Sequence, residues 1–434
     1  MRKGYQRSTE KSIVEDLKRL GKTPENGIFS DFNPERLQQM LQEALRGTCL
    51  DIGVQIMTSF LENEVNALCG NRYTHQDGRT RHRYGKQAGY IYAGGQRVPV
   101  VKPRVRTTDG EEVSLKTYKT MQNPEPFNES ALRHMLQGVS SRRYDRVIEH
   151  AAERLSVKKS SISAAFRAMS RKNMQKFAER RFEHEEIVAV LLDGISFGGE
   201  MMIGALGLDI RGKKLVLGTR QGNTENTQVV DDLLLDLKDR GLSAREGLLF
   251  IVDGGKALSK SIQNVFGERA YIQRCRAHKK RNVMDYLSEE NSAEFGKAID
   301  EAYALKGYDE AVSRLQSVSK NLERVNPDAA ASLREGLEET CTVLKFNIPD
   351  ILLKTLLTTN PIESLFSAVR TCVGRIKRWQ GNDMRKRWFV AALLDAEGRL
   401  NRVKGCKHLP DLKDAMRKDQ EKRFGKVAGS KEVA

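Results

Sequence analysis

The chain has 434 residues, with 74 Lys and Arg against 57 Asp and Glu and a formal net charge of +17. That length suits two or three ordinary domains, and that balance points to a polyanion, with nucleic acid favoured over an anionic membrane surface. No stretch approaches the roughly 20 apolar residues that span a bilayer, MRKGYQRSTEKSIVEDLKRLGK lacks the apolar core of a secretory signal, and six cysteines without a C-x-x-C pair exclude a disulfide framework or a four-cysteine zinc ribbon.

A soluble intracellular protein is therefore expected. The charge is clustered: residues 71–106 hold nine Lys or Arg against the single acid Asp77, and residues 360–434 hold 18 against nine. Those two stretches account for the whole net charge, as a surface that tracks phosphates requires. Tyr73, Tyr84, Tyr90 and Tyr92 interleave with the first stretch and suit stacking on bases. Neither stretch makes the long amphipathic helix of a membrane-surface anchor.

Residues 1–34 are polar and unpatterned. From Glu35 to Leu68 apolar residues recur at helical spacing, with Gly70 as the stop. Residues 88–118 alternate around Gly94-Gly95 and Asp109-Gly110, which predicts short strands and turns. Residues 142–173 read as two helices around a short turn. The second opens with serines suited to capping and buries Ile162, Ala165, Phe166 and Met169, leaving Ser161, Ser163, Arg167 and Arg171 outward. That pattern fits a helix-turn-helix that places its second helix in the major groove; it equally fits an ordinary helical hairpin.

The pattern then changes. IVAVLLDG (187–194) suits a strand buried on both faces, and the runs flanking Arg211-Gly212 read as a hairpin. A helix ending at Gly241, a strand GLLFIVDG, a short helix and a strand AYIQRC follow, giving the order β-β-β-α-β-α-β. From about 285 to 355 the chain reads as helical throughout. A helix over 361–378 is predicted to bury Leu365, Val369, Val373 and Ile376.

Asp193 and Asp253 each end a buried strand, in LLDG and IVDG. An ionised carboxylate there is costly unless a cation or donors balance it, and oxygen ligands suit Mg²⁺ or Mn²⁺. Each also has a structural reading, Asp193 as a turn residue and Asp253 as a helix cap. Glu363 in TTNPIESLF is a third acid, which fits a capping box begun by Asn360 as well as it fits metal binding. Cys275 and His278 have no second Cys/His pair to complete a zinc site, and no phosphate loop for ATP is present.

Four stretches, LLDGISFGG, IVDGGKALSKSIQNVFG with QRCRAHKKRN, TTNPIESLFSAVR, and KRWQGND with RWFVAALLDAEGRLNRVKG, together resemble bacterial insertion-sequence transposases of the Mutator-like superfamily. The resemblance implies an RNase H-like core with a DDE triad of Asp193, Asp253 and Glu363, using two Mg²⁺ or Mn²⁺ ions and neither ATP nor zinc. It implies an all-helical insertion within the 110 residues between Asp253 and Glu363, and an active-site supporting role for Cys275 and His278. The organisation expected is a basic N-terminal region to residue 130 and a helix-turn-helix-like domain over 131–185. The core would occupy 186–284, the insertion 285–355, and the last core helix with basic helices 356–425. The implied partners are double-stranded DNA, both terminal inverted repeats and target, and a second copy of the chain, in the bacterial cytoplasm at the nucleoid. Ser161, Ser163, Arg167 and Arg171 would read the repeat, and Arg375, Lys377, Arg378 and Trp379 would grip DNA beside the active site. The rival readings are a catalytically silent DNA-binding relic and a structure-selective nuclease on the same core.

Overall fold

The computed structural model describes residues 53–74, 78–93, 96–139, 159–222, 226–374, 376 and 378–425. The readings made for residues 1–34, the start of the helical stretch from Glu35, the Gly94-Gly95 turn, the first helix of the 142–173 pair, Arg375 and Lys377 lie outside these. The chain divides into two compact units, one of residues 1–123 with 148–156, the other of 124–147 with 157–434.

In the first unit a helix over 53–69 (α1) buries Met57, Leu61, Val65 and Cys69, the four-residue spacing of one helix face. It covers an antiparallel sheet of β1 (Arg81–Ala93), β2 (Gln96–Thr107) and β3 (Glu112–Val113). The strands begin earlier and run longer than the alternation over 88–118 suggested. A short helix α2 (Lys116–Met121) places Tyr118 over Gly89, where an added Cβ would stand 2.2 Å from the tyrosine oxygen. The basic residues lie on this sheet. Arg104 and Arg106 sit 5.3 and 3.8 Å from the Tyr84 ring centroid, so that ring is already faced by guanidinium groups.

The second unit begins with α3 (Glu125–Leu136) and α4 (Lys159–Ala178). Ile162, Ala165, Phe166 and Met169 are buried along α4, as their spacing predicts, and Arg167 and Arg171 are exposed. Then come β4 (Ile187–Phe197), β5 (Glu200–Asp209), β6 (Lys214–Gly222), α5 (Thr227–Asp239), β7 (Leu248–Val252), α6 (Lys256–Phe266) and β8 (Ala270–Arg274), the predicted order. They build one mixed sheet in the order β6-β5-β4-β7-β8, antiparallel across β6, β5 and β4 and parallel across β4, β7 and β8.

Both faces of this sheet are covered, which is why its strands read as continuous apolar runs. Val190, Leu192, Phe250 and Val252 pack on α5 and α6. Leu191, Ile195, Leu249 and Ile251 pack on α4 and on the late helices α12 (Asn360–Val373), α13 (Gly381–Glu397) and α14 (Leu409–Phe424). Between β8 and α12 the chain is helical, from α7 (Arg276–Met284) through α8 (Glu289–Ala304), α9 (Tyr308–Glu323), α10 (Pro327–Arg334) and a 3₁₀ stretch (Glu338–Phe346) to α11 (Asp350–Leu356). These helices bury Phe295, Ile299, Leu315, Leu322 and Leu333 in a core of their own.

Two expectations are corrected. β4 does not end at Asp193 but runs on to Phe197, because its pairing with β5 continues after its pairing with β7 has stopped. The last helix stops at Val373, with Gly374 as its cap, so Ile376 and Trp379 lie beyond it.

Gly204 of β5 sits directly opposite Asp193, and a Cβ there would come 2.9 Å from the buried Phe366 ring of α12. Gly204→Ala is therefore expected to overpack this contact and lower stability by about 1–3 kcal/mol in chemical unfolding. An unchanged unfolding midpoint would show that α12 does not depend on this close approach.

Candidate active site

The parallel ladders bring three residues to one level. The last β4–β7 pair is Leu192 with Val252, and the last β7–β8 pair is Val252 with Arg274. Asp193, Asp253 and Cys275 are the next residue on each of three adjacent strands. Asp193 is 9% exposed and Asp253 half-buried. Each carboxylate has one oxygen fixed by backbone: Gly194 N–H donates to Asp193 Oδ1 at 2.8 Å, and Gly255 N–H to Asp253 Oδ1 at 3.0 Å. Among the described residues neither aspartate has an ion-pair partner. Burial, and next the Asp253 charge, push the Asp193 carboxyl up to about 7; Glu363 adds to the rise and the Gly194 N–H opposes it.

Side chains alternate along β4, so Asp193 shares the face of Leu191 and Ile195, the one that α12 covers. Glu363 lies in the first turns of α12, itself exposed. The capping box expected for it is not formed. The helix is entered through Thr359, which is fully buried, and the Thr359 hydroxyl donates forward to Glu363 Oε1 at 2.6 Å. The same hydroxyl stands 3.3 Å from His278 Nδ1, and Thr359 N–H donates to the Cys275 sulfur at 3.5 Å. His278 Nδ1 is 3.8 Å from Glu363 Oε1.

Cys275 begins α7 and is completely buried. Burial alone would raise its thiol, but hydrogen bonds with His278 and Thr359 outweigh it and hold the thiol below the usual range. His278 moves up, chiefly through Cys275, with burial opposing and the Glu363 and Asp253 charges adding. Both shifts favour an ion pair between the two.

The structure thus brings Asp193, Asp253, Glu363, Cys275 and His278 into one electrostatic neighbourhood. The side chains are not a closed cage: among the described residues no three His, Cys, Asp or Glu converge closely enough to hold a metal ion. Thr359 escaped the sequence reading; its only signal was its place before Asn360-Pro361 at a helix start. Of the residues expected on DNA, Arg167 and Arg378 are exposed and Ser163 is half-buried. Arg171 pairs with Asp383 at 3.5 Å, and nothing is described for the Ser161 side chain. Trp379 packs on Phe197, with ring centroids 5.0 Å apart, and over Gly198.

The sequence profile of the family described as "Transposase, Mutator family" matches residues 33–399. The transposase for insertion sequence element ISRM5 of Rhizobium meliloti (strain 1021) is 25% identical over 348 residues, 78% of this chain and 82% of its own. That for IS6120 of Mycolicibacterium smegmatis is 28% identical over 244 residues, 54% of this chain and 73% of its own. That for IS256 in transposon Tn4001 of Staphylococcus aureus is 23% identical over 379 residues, 83% of this chain and 93% of its own.

The raised Asp193 carboxyl has a consequence for stability. A carboxyl whose pKa is higher folded than unfolded costs the fold progressively as pH rises through the two values. Asp193→Asn keeps the oxygen that Gly194 N–H binds and removes the charge. It should therefore stabilise the metal-free protein by up to about 4 kcal/mol near pH 8, the gain vanishing near pH 4. Thermal unfolding across that range in EDTA checks this; a gain independent of pH would refute the electrostatic cause.

Proposed function

Because the chain belongs to the Mutator family of transposases, we propose that it moves an insertion sequence, binding the terminal inverted repeats and carrying out metal-dependent strand cleavage and strand transfer at Asp193, Asp253 and Glu363. The observation that carries this reading is the pair of adjacent aspartates at the end of the parallel ladder, without an ion-pair partner among the described residues, with Glu363 raising the Asp193 carboxyl further. The relatives' names, all insertion-sequence transposases, support it. Three antiparallel strands continued by two parallel ones, with helices on both faces, support an RNase H-like core. The helices between β8 and α12, with their separate apolar cluster, support the insertion.

The donor set fits a hard divalent cation. All three side chains offer carboxylate oxygens, the chemistry that Mg²⁺ and Mn²⁺ prefer, and the repulsion that raises Asp193 is what added positive charge relieves. When bound, two such ions would lower the pKa of the attacking water or DNA 3′-hydroxyl and stabilise the leaving oxygen. The chain's own residues prepare this. Gly194 and Gly255 fix one oxygen of each aspartate and leave the other for a ligand. Asp193, raised to about 7, is partly protonated at neutral pH and would give up that proton on binding a cation. Strand transfer exchanges one phosphodiester for another, so this reading needs no ATP, and it assigns Cys275 and His278 to supporting the site and not to zinc.

Arg167 and Arg171, with Ser161 and Ser163, would read the terminal repeat from the outward side of α4, taken in this reading as the second helix of a helix-turn-helix. The exposed Arg370 and Arg378 follow Glu363 and would hold DNA beside the carboxylates, with Arg375, Lys377 and Trp379. Two element ends must be paired, so a homodimer is expected.

Labelled terminal-repeat DNA tests the reading. With Mg²⁺ or Mn²⁺ the chain should nick at the element end, and EDTA should abolish nicking. Asp193→Asn, Asp253→Asn and Glu363→Gln should each slow it about a thousandfold or more, the several kcal/mol that metal-held charge contributes to such a step. Their DNA binding should survive. Nicking by Asp253→Asn would sink the triad, and tight repeat-specific binding without nicking by the unsubstituted chain would favour the silent relic. Arg167→Ala should cut the preference for repeat over random DNA roughly tenfold or more; an unchanged preference removes α4 from repeat reading.

A further inference from the structure

Thr359 contacts Cys275, His278 and Glu363 together. It is completely buried, and its five polar contacts run to the start of α7 and to the first turn of α12. Its N–H donates to Cys275 Sγ, 84 residues away, and its hydroxyl meets His278 Nδ1, 81 residues away. That hydroxyl also donates to Glu363 Oε1 at 2.6 Å, and its carbonyl accepts from the N–H groups of Ile362 and Glu363.

The direction of these bonds follows from counting protons. A hydroxyl has one proton to donate and lone pairs to accept with, and an ionised carboxylate only accepts. The short contact to Glu363 therefore takes the Thr359 proton, and the contact to His278 is a hydrogen bond when Nδ1 carries its proton. The chain runs His278 Nδ1–H to Thr359 Oγ1–H to Glu363 Oε1. Glu363 Oε2 has no hydrogen bond among the described residues. An exposed glutamate otherwise spreads over many rotamers, and holding one costs side-chain entropy.

Resting on the three-carboxylate reading above, we propose that Thr359 is the positioning residue for Glu363, anchored by Cys275 and His278: it holds Oε1 and leaves Oε2 for the divalent cation that the three carboxylates would bind. Its methyl and backbone serve the helix start; the hydroxyl serves the site. Thr359→Val removes the hydroxyl at constant shape, and Thr359→Ser keeps it.

The test is Mn²⁺ alone, titrated into the full-length chain without DNA and followed by calorimetry, beside terminal-repeat nicking and thermal unfolding. Thr359→Val should weaken Mn²⁺ binding about 10- to 100-fold, the usual effect of removing a partner that orients a ligand. Thr359→Ser should restore binding and nicking together. In a Glu363→Gln background Thr359→Val should change Mn²⁺ affinity no further, since its effect passes through that carboxylate. Unaltered Mn²⁺ binding by Thr359→Val overturns the proposal, as does equal loss in Val and Ser or an additive loss in the Gln background. Mn²⁺ binding and nicking retained by Asp193→Asn overturn the three-carboxylate reading itself, a different failure from that of Thr359.

Discussion

Two carboxylates on neighbouring strands, one of them 9% exposed and neither with a cationic partner among the described residues, set the constraint that the second unit satisfies. Charge placed this way opposes folding, because desolvation and mutual repulsion both penalise ionisation. The fold tolerates it only because the sheet is held by other means. Both faces are sealed by helices, and the strands that carry the aspartates are almost wholly buried apolar side chains up to the acids themselves. The acids stand where the apolar runs stop, and backbone N–H groups of the next glycines take one oxygen from each.

The same end of the sheet is where the helical segment is tied down. Arg274 and Lys279, 5% and 3% exposed, flank Cys275 and His278 and reach into that segment. Arg274 meets Glu339 at 2.9 Å and the Glu335 carbonyl at 3.0 Å, and Lys279 donates to the carbonyls of Ser332 and Glu335 at 2.7 Å. Burial, then the Arg274 charge, lower the Lys279 ammonium to about 8. These bonds fix the start of α7 and so the placement of Cys275 and His278. A chain excursion of more than 80 residues returns to the sheet through Thr359 at the site it left. The helical segment is therefore coupled to the carboxylates through the very residues that orient them.

What was legible in the sequence follows from how local each signal is. The seven core elements were readable because buried strands are continuous apolar runs and glycines mark their turns. Asp193 and Asp253 stood out because each interrupts such a run. The end of β4 was misread because its two neighbours stop at different places: β7 leaves at Leu192 while β5 continues to Phe197. The helix carrying Glu363 was drawn too long because the apolar period persists through Ile376 past the Gly374 cap. Thr359 was invisible for a different reason. Its partners lie 81 and 84 residues earlier, and nothing in TTNPIESLF distinguishes a threonine that caps a helix from one that bonds forward to a glutamate.

The placement of the third acid on a helix, and not on a strand, has a physical consequence. Asp193 is still paired with Gly204 of β5 and Asp253 directly follows β7, so the sheet backbone carries both. Glu363 projects from a helix start with a longer side chain, exposed and held by one hydroxyl. Its place depends on the Thr359 hydroxyl, while the two aspartates take theirs from the sheet. The close approach of α12 to the sheet is set by Gly204, whose missing side chain lets Phe366, one turn beyond Glu363 on α12, lie against the strand opposite Asp193. Two of the acids are thus placed by the sheet and the third by a buried threonine at the helix start.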